Sequence, residues 1–143
     1  MSVRPGEALT APEMAVWGRE LALTLEPGAV VALHGELGAG KTTLVRAMCD
    51  ALSVRDMAAV TSPTFAVLHE YDTPNGIVVH ADLYRLRSSA ELEQLGWDEL
   101  VATALVTFVE WPERADGYLP SNARHVWLAH VPGDAERRIV ECK

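Results

Sequence analysis

The first third of the chain contains a stretch whose residue types and spacing could bind phosphate. Residues 35–42 read GELGAGKT, which fits the P-loop pattern GxxxxGK[ST]. Glycines in such a loop let consecutive backbone N–H groups turn toward an anion, and the helix that follows adds the positive end of its dipole. The stretch therefore predicts a binding site for the phosphates of a nucleotide.

Each polar side chain of this loop has an expected role. We expect the Lys41 ammonium to reach the β- and γ-phosphates and the Thr42 hydroxyl to be a ligand of Mg²⁺. Thr43 is a weaker candidate for contact with the α-phosphate. Only Lys41 and Lys143 are lysines among the 12 basic residues, so a lysine here is consistent with an electrostatic need. The expected nucleotide-binding residues are Gly35, Gly38, Ala39, Gly40, Lys41, Thr42 and Thr43.

Two apolar segments end in a carboxylate that could serve a metal ion. Residues 105–110 read LVTFVE and end in Glu110, and residues 77–82 read IVVHAD and end in Asp82. A P-loop enzyme needs an acid at the end of a neighbouring strand to hold Mg²⁺ or its waters. We expect these two acids, with Lys41, to be the catalytic residues, and the division of labour between the acids stays open.

Four further residues are candidates for sensing the nucleotide or contacting a partner. Thr64 lies in the segment SPTF, between the loop's helix and the next hairpin, where P-loop proteins often have a nucleotide-sensing segment. Trp111 directly follows the acid at 110 and could cover the site. Arg85 is a candidate arginine finger, and Thr10 is a candidate contact for the base.

Short patterns predict the elements that must position these residues. Thr10 and Glu13 have the spacing of a capping box, and apolar residues then recur at helical intervals, which predicts a first amphipathic helix. Residues 29–33 form an apolar run without alternation, which is typical of a central strand covered on both faces. A helix is predicted over 41–52, directly after the loop.

The rest of the chain predicts hairpins and short helices around a second buried strand. Turn residues at 72–76 favour an antiparallel hairpin, and Ser88 with Glu91 repeats the capping-box spacing. This order favours an α/β fold, a P-loop NTPase-like sandwich with a mixed, partly antiparallel central sheet flanked by helices. The predicted strands are 65–71, 77–83, 105–109, 124–131 and 137–142, and a short helix is predicted at 97–103.

The composition favours one folded domain over residues 1–143, because 49% of the residues are hydrophobic and the length suits a single core. The net charge of −8 repels phosphate backbones, which argues against a stand-alone nucleic-acid binder. No apolar stretch has the length of a signal peptide or membrane span, so we expect a cytoplasmic protein without a membrane partner. The two cysteines lack metal-binding or disulfide spacing.

Five motifs follow one another in a specific order: GELGAGKTT, SPTF, HADLYRL, ELEQLGWDEL and FVEWPER. Their order and spacing resemble the TsaE family, also called YjeE, the small bacterial P-loop ATPases of tRNA threonylcarbamoyladenosine synthesis. The resemblance spans about residues 10–115, and residues 116–143 carry no matching motif. It implies binding and hydrolysis of ATP with Mg²⁺, slow when the chain is alone.

The resemblance also implies residue roles and partners. Lys41 and Thr42 match the family's Walker A lysine and metal-binding hydroxyl. Asp82 matches the acid of HxDLYRL, and Glu110 matches the glutamate of EWPE. Assembly with the proteins TsaD and TsaB is implied, in which ATP hydrolysis supports repeated turnover of the threonylcarbamoyl transferase TsaD. We expect tRNA to be reached only indirectly, through that complex.

Two other functions remain alternatives. A small-molecule kinase shares the P-loop but needs a second substrate pocket and usually a basic lid, and 143 residues without an Arg-rich segment argue against it. A nucleotide-dependent switch would bind ATP to set partner affinity without useful hydrolysis. Phosphate release with and without an acceptor or partner proteins separates the three functions.

Overall fold

The computed structural model describes residues 6–36, 38–60 and 68–143. Leu37 of the predicted loop and residues 61–67, which include Thr64, lie outside the described residues. The role expected for Thr64 therefore stays a prediction.

Within these ranges, strands and helices alternate from β1 to α2, and the rest of the chain is mainly strands with two short helices. Short 3-10 turns occur at Met57–Ala59 and Pro112–Ala115. The strands are β1 (Glu7–Thr10), β2 (Ala29–His34), β3 (Leu68–Thr73), β4 (Gly76–Asp82), β5 (Val106–Glu110), β6 (Arg124–Val131) and β7 (Asp134–Cys142). The α-helices are α1 (Ala11–Leu23), α2 (Lys41–Ala51), α3 (Glu91–Gln94) and α4 (Trp97–Thr103).

The described strands form one seven-stranded sheet in the order β1-β7-β6-β2-β5-β4-β3. The central part is parallel, since β2 pairs in parallel with both β5 and β6, and β4 pairs in parallel with β5. The flanks are antiparallel, with β3 on β4 at one side and β1 and β6 on β7 at the other. The predicted α/β fold with a mixed, partly antiparallel sheet is confirmed.

Both faces of the central strands are covered, which explains why β2 and β5 lack polar alternation. In β2, Val31 and Leu33 pack into a core with α1 and α2, whereas Val30 packs into a second core on the opposite face. In β5, Phe108 belongs to the first core and Val109 to the second. Other fully buried members of the two cores include Leu21, Leu44, Met48, Leu83, Leu92 and Trp97.

The capping box at the start of α1 forms as predicted. The Glu13 N–H donates to the Thr10 hydroxyl at 3.4 Å, and the Glu13 carboxylate accepts from the Thr10 N–H at 2.9 Å. Hydrogen bonds from Thr10, the backbone one first, lower the pKa of Glu13. The box fixes the point at which β1 ends and α1 begins.

The second predicted capping box is wrong. The Ser88 hydroxyl accepts from the Ala90 N–H at 3.2 Å, and the Glu91 N–H donates to the Ser88 carbonyl instead. The Glu91 carboxylate accepts from the Arg87 N–H at 3.4 Å. The Ser88 carbonyl and hydroxyl both accept hydrogen bonds within a tight turn, so the hydroxyl is not free to accept from the Glu91 N–H. The helix that follows, α3, is only four residues long.

The hairpins are confirmed, but the edge of the sheet was not fully predicted. β3 and β4 form an antiparallel hairpin, as do β6 and β7, and residues 65–67 of the predicted strand lie outside the described residues. β7 begins three residues earlier than predicted, at Asp134. The sequence did not predict β1, which pairs with β7 from Glu7 opposite Val140 to Thr10 opposite Arg137.

Candidate functional site

The carboxyl ends of β2, β4 and β5 meet at one edge of the sheet, where the glycine-rich loop begins. The register places Asp82 opposite Glu110 and Glu110 opposite Leu33. Here a cavity of about 350 Å³, which we call the loop cavity, opens between the loop and the strand ends. It is lined by Gly38, Gly40, Lys41, Thr42, Thr43, Asp82, Glu110 and Trp111, all of which were singled out from the sequence.

Two glycines shape the described part of the loop. Gly35 has a φ of 154°, and a Cβ there would lie 2.6 Å from the Leu128 carbonyl oxygen of β6, so a side chain would force the backbones apart. Gly40 has a φ of 98° and is the N-cap residue of α2. Gly40 provides no side-chain cap for α2, and the first three residues of the helix, Lys41, Thr42 and Thr43, line the loop cavity.

Lys41 is the first residue of α2, and its ammonium is held inside the loop cavity. The residue is only 5% exposed. Its Nζ donates to the Gly35 carbonyl at 2.5 Å and lies 3.7 Å from the centroid of the Trp111 ring, a cation–π contact. Burial lowers the pKa of this ammonium, while nearby carboxylates, Glu110 foremost, oppose the shift. The charge is thus positioned by contacts that a phosphate could replace.

Glu110 is buried at the end of β5 between two polar partners. It is 2% exposed, and its Oε2 lies 2.5 Å from His80 Nε2. The Thr42 hydroxyl donates toward both of its carboxylate oxygens at 3.4 Å. The expected metal-binding hydroxyl and one of the two expected acids therefore face each other.

Asp82 lines the same cavity in a different environment. It is half-buried at the end of β4, and its Oδ1 accepts from the Tyr84 N–H at 3.0 Å, which stabilises the turn that follows the strand. The structure thus brings the two predicted acids together as neighbours. The Glu110 carboxylate is enclosed by side chains, whereas one oxygen of Asp82 accepts a backbone hydrogen bond from the turn that follows its strand.

The chemistry of this oxygen donor set fits Mg²⁺. Among the described residues, no group of three or more His, Cys, Asp or Glu side chains could hold a metal by itself. Mg²⁺ is usually bound by one or two carboxylates together with phosphate oxygens and waters. A hydroxyl and a carboxylate beside a glycine-rich loop of the phosphate-binding pattern would meet that requirement.

Trp111 adopts a backbone conformation that is unusual for a bulky residue. Its φ of 57° and ψ of 53° are left-handed, which costs about 1–3 kcal/mol and is typical of functional sites. The conformation turns the indole over Lys41 and packs it 4.9 Å from the Tyr84 ring. Trp111 therefore lines the loop cavity beside Lys41, and its expected role in covering a bound nucleotide stays a prediction.

A second cavity, which we call the β7-side cavity, adjoins the first. The sequence predicted three of its lining residues, Thr10, Gly40 and Thr43, as candidates but not the cavity that they share with α1 and β7. This cavity measures about 410 Å³ and shares Gly40 and Thr43 with the loop cavity. Thr10, the candidate base contact, lines it. Its remaining lining residues are Ala11, Pro12 and Met14 from α1 and Ala135, Glu136 and Arg138 from β7.

Arg138 connects β7 to the loop. One guanidinium nitrogen donates to the Gly38 carbonyl at 3.3 Å, and another donates to the carbonyls of Ala135 and Arg137, both at 2.9 Å. The Arg138 Nε is buried without a hydrogen-bond partner among the described residues. Residues of the C-terminal hairpin, which carried no recognisable motif, therefore form one wall of the site.

The remaining expected residues are placed as follows. Arg85 is exposed and does not line the loop cavity, so its role as an arginine finger stays a prediction. Ala39 is fully buried, and its N–H donates to the Glu36 carbonyl at 3.1 Å, which closes a turn of the loop. The Gly35 carbonyl accepts from Lys41.

A pair of histidines lies behind the loop. His34, the last residue of β2, has its Nε2 2.8 Å from Nδ1 of His125 on β6. The His34 ring also stacks on Trp127, with ring centroids 3.8 Å apart. Burial, followed by the charge of His125, lowers the pKa of His34. The pair joins β2 to β6 directly before the first loop glycine.

None of the helices in the described ranges is both long enough and apolar enough to cross a membrane.

Comparisons with known proteins agree with the motif order. The family model described as "Threonylcarbamoyl adenosine biosynthesis protein TsaE" matches residues 9–139. A protein of Aquifex aeolicus named "tRNA threonylcarbamoyladenosine biosynthesis protein TsaE" is 41% identical over 95 residues, which cover 66% of each chain. A protein of the same name from Haemophilus influenzae is 39% identical over 100 residues, which cover 70% of this chain and 62% of the relative. The matches thus span about two thirds of the length of these two relatives.

The fold also has a solved counterpart. The crystal structure of YdiB from Bacillus subtilis superposes with a TM-score of 0.71 at 27% sequence identity, covering 98% of this chain and 88% of that one. This coverage includes the β6–β7 hairpin, for which the sequence offered no motif. The α/β architecture is thereby supported over nearly the whole chain.

Proposed function

Because the chain belongs to the TsaE family of threonylcarbamoyl adenosine biosynthesis proteins, we propose that it binds ATP with Mg²⁺ and hydrolyses it to ADP and phosphate. The observation that carries the proposal is the convergence of Lys41, Thr42 and Glu110 on one cavity at the start of α2. The ammonium, the hydroxyl and the carboxylate are the three groups that P-loop hydrolysis requires. Each is already held by a specific contact.

The chain's residues would act mainly by positioning. The γ-phosphate would displace the Lys41 ammonium from the Gly35 carbonyl, and the N–H groups at the start of α2 would bind the phosphate oxygens. Thr42 and Glu110 would hold Mg²⁺, which supplies positive charge to the phosphate oxygens as the terminal P–O bond breaks. A water attacks the γ-phosphorus, ADP leaves, and the proton of the water passes to phosphate or solvent.

We assign different tasks to the two acids. Glu110 faces the Thr42 hydroxyl and would share the metal with it. Asp82 is more accessible, and one of its oxygens accepts the Tyr84 N–H, so it would act on waters in the cavity rather than as the main ligand. The register that sets them side by side allows both to act on one phosphate.

The nucleoside would occupy the β7-side cavity. Thr43 lines both cavities, so a nucleotide that crosses it would have its α-phosphate there and its base beyond. Thr10 and Glu136 supply the polar groups for a base or ribose on that side. This arrangement gives the C-terminal hairpin a part in nucleotide recognition.

The proposed biological role is support of the threonylcarbamoyl transferase that TsaD and TsaB form. The names of the relatives place them in tRNA threonylcarbamoyladenosine biosynthesis. The net charge of −8 disfavours direct tRNA binding, because few phosphates could be neutralised. We expect labelled tRNA to show no saturable binding to this protein alone at micromolar concentration, and an ATP-sensitive complex when the partners are added.

Phosphate release by matched lysine variants tests the proposal. Release is measured for wild type, Lys41→Ala and Lys143→Ala, each alone and with TsaD and TsaB. Lys143 is the matched control, because it is the other lysine in the sequence and its side chain is 68% exposed. We expect slow release from wild type, faster release with the partners, none from Lys41→Ala and no change in Lys143→Ala.

Three outcomes would contradict the proposal. Near-wild-type phosphate release by a folded Lys41→Ala variant would remove the P-loop assignment. Transfer of phosphate to a small acceptor would identify a kinase. ATP binding without turnover, even with the partners present, would identify a switch.

A further inference from the structure

His80 lies fully buried in β4 and contacts Glu110, a lining residue of the loop cavity, and the proposed hydrolysis does not use it. Its side chain is 0% exposed. On one side its Nε2 is 2.5 Å from Glu110 Oε2, and on the other its Nδ1 is 3.0 Å from the hydroxyl of Tyr71 in β3. Tyr71 is itself only 4% exposed. Three polar side chains from three adjacent strands thus form a buried row that ends at the loop cavity.

The hydrogen-bond types give this row a direction. A carboxylate oxygen accepts, so His80 Nε2 carries the hydrogen that faces Glu110. In the neutral ring the other nitrogen is then an acceptor, and the Tyr71 hydroxyl donates to it. The Tyr71 oxygen lies 3.4 Å from Nδ1 of His69, which can donate in turn. Hydrogen bonds thus run from Tyr71 to His80 and from His80 to Glu110, and each donor orients its acceptor.

Such a row is not needed for packing. The neighbours of His80 on the same face of the sheet include the buried apolar residues Val78 on β4 and Phe108, its register partner on β5. An apolar side chain would suit these surroundings. Polar groups are costly to bury, and replacing a buried polar pair by apolar residues is often neutral or stabilising. We therefore look for the role of this row at the end that borders the loop cavity, where Glu110 meets Thr42.

We propose that His80, held in place by Tyr71, is a positioning residue that orients the Glu110 carboxylate toward Thr42 for binding Mg²⁺ with the nucleotide. The hydrogen bond to Oε2 restricts rotation of the carboxylate, so that its oxygens are presented to the cavity before any ligand arrives. Groups that orient a metal ligand in this way commonly contribute tenfold to a hundredfold in metal affinity or activity. The inference rests on the proposed function, because it concerns the metal site of that reaction.

Two substitutions at position 80 separate orientation from packing. His80→Leu keeps an apolar volume but removes the donor, whereas His80→Gln places an amide N–H near the position of Nε2. The first readout is the affinity of the protein–ADP complex for Mn²⁺, measured by electron paramagnetic resonance. The second is the Mg²⁺ concentration at half-maximal phosphate release. We expect His80→Leu to weaken both by about tenfold or more, and His80→Gln to restore most of the loss.

Tyr71→Phe and Thr73→Val complete the set. Tyr71→Phe removes only the hydroxyl that holds His80 and should weaken Mn²⁺ binding by about threefold, less than the loss of a direct partner. Thr73 is the matched control: it is a buried polar residue of the same hairpin, 6% exposed, and its hydroxyl donates to the Gly76 carbonyl at the opposite end. Thr73→Val should lower thermal stability and leave the Mn²⁺ affinity unchanged.

The outcomes distinguish the inference from the proposed function. If wild type binds no ADP, or binds Mn²⁺ equally with and without ADP, the proposed function fails. If wild type behaves as proposed but His80→Leu retains its Mn²⁺ affinity, the inference is overturned. Should His80→Leu not fold, an unchanged Mn²⁺ affinity in Tyr71→Phe together with equal losses in His80→Gln and Thr73→Val would overturn it.

Discussion

The loop cavity and the β7-side cavity share Gly40 and Thr43 but are built differently. The loop cavity lies where buried parallel strands end, and its charged groups are held by named partners, as in the bonds of Lys41 to Gly35 and of Glu110 to His80. The β7-side cavity lies between the start of α1 and an antiparallel hairpin, and several of its lining residues are exposed, among them Pro12 and Glu136.

The difference indicates a division of work between the two regions. In the proposed hydrolysis, the groups that must be correctly placed lie at the centre of the sheet, where burial fixes their geometry. The groups proposed to contact the nucleoside lie on the flank of the sheet, where several of them are exposed. Substitutions in the loop cavity should therefore change turnover, and those in the β7-side cavity should change affinity.

The largest effect on turnover among the acids should come from Glu110→Gln. The substitution keeps the shape but removes the charge that faces Thr42, so we expect phosphate release at saturating ATP to fall by about a hundredfold, ~2.7 kcal/mol. The assay measures the rate of phosphate release by the variant over a range of Mg²⁺ concentrations. An unchanged rate would mean that the buried carboxylate is structural, and the contrast between the cavities would lose its main support.

Asp82→Asn should have a smaller effect of about tenfold, ~1.4 kcal/mol. The Tyr84 N–H already binds one oxygen of Asp82, and an amide oxygen can accept the same bond, so the turn should persist. Measured beside Glu110→Gln under the same conditions, this variant ranks the two acids. A larger loss in Asp82→Asn than in Glu110→Gln would reverse the assignment of the main metal ligand.

On the other side of Gly40, Thr10→Val should weaken ADP binding about threefold and leave turnover at saturation unchanged, since Thr10 lines the β7-side cavity and not the loop cavity. Loss of the cap of α1 should also lower the free energy of unfolding by about 1 kcal/mol. Thr10→Ser, which keeps the hydroxyl, is the control. Calorimetry measures the affinity of each variant for ADP and for inorganic tripolyphosphate, which has no nucleoside. Only the affinity for ADP should differ between Thr10→Val and Thr10→Ser. An equal loss of affinity for both ligands in Thr10→Val would contradict the division between the cavities.

The smallest effect concerns the histidines behind the loop. Since the pKa of His34 is lowered in the folded state, the unfolded state binds more protons near and below the ordinary value of 6.5, and the free energy of unfolding should fall as the pH drops through this range. Urea denaturation at several pH values measures the slope. His34→Asn should flatten it, and a slope that persists in this variant would assign the acid sensitivity to other groups.

Much of the loop cavity could be predicted because its signals are local. The glycine spacing of residues 35–42 and the apolar run at 29–33 predicted a strand, a loop and a helix, and the structure has them in that order. The acids at 82 and 110 each end a strand, and the parallel register then brings them together. The chemical roles of these residues stay predictions until they are measured.

The parts that could not be predicted depend on distant pairing. β1 is only four residues long, and its partner β7 lies more than 120 residues away, so no local pattern marks it. His80 is the first residue of the motif HADLYRL, but the motif does not reveal its bond to Glu110, which forms only when β4 and β5 are in register. The failed capping box at Ser88 shows the opposite error, a local pattern that a tighter turn overrode.

Gly40 has a further consequence for ligand design. No side chain separates the two cavities at this point, and the nearest atom to a Cβ placed there would be Cε of Met14 at 3.4 Å. A small anion in one cavity and a flat ring in the other would each bind weakly. A linker passing over Gly40 would make the second contact intramolecular, with an effective concentration on the order of millimolar. An inhibitor of the proposed nucleotide site could therefore be assembled from two separately optimised fragments.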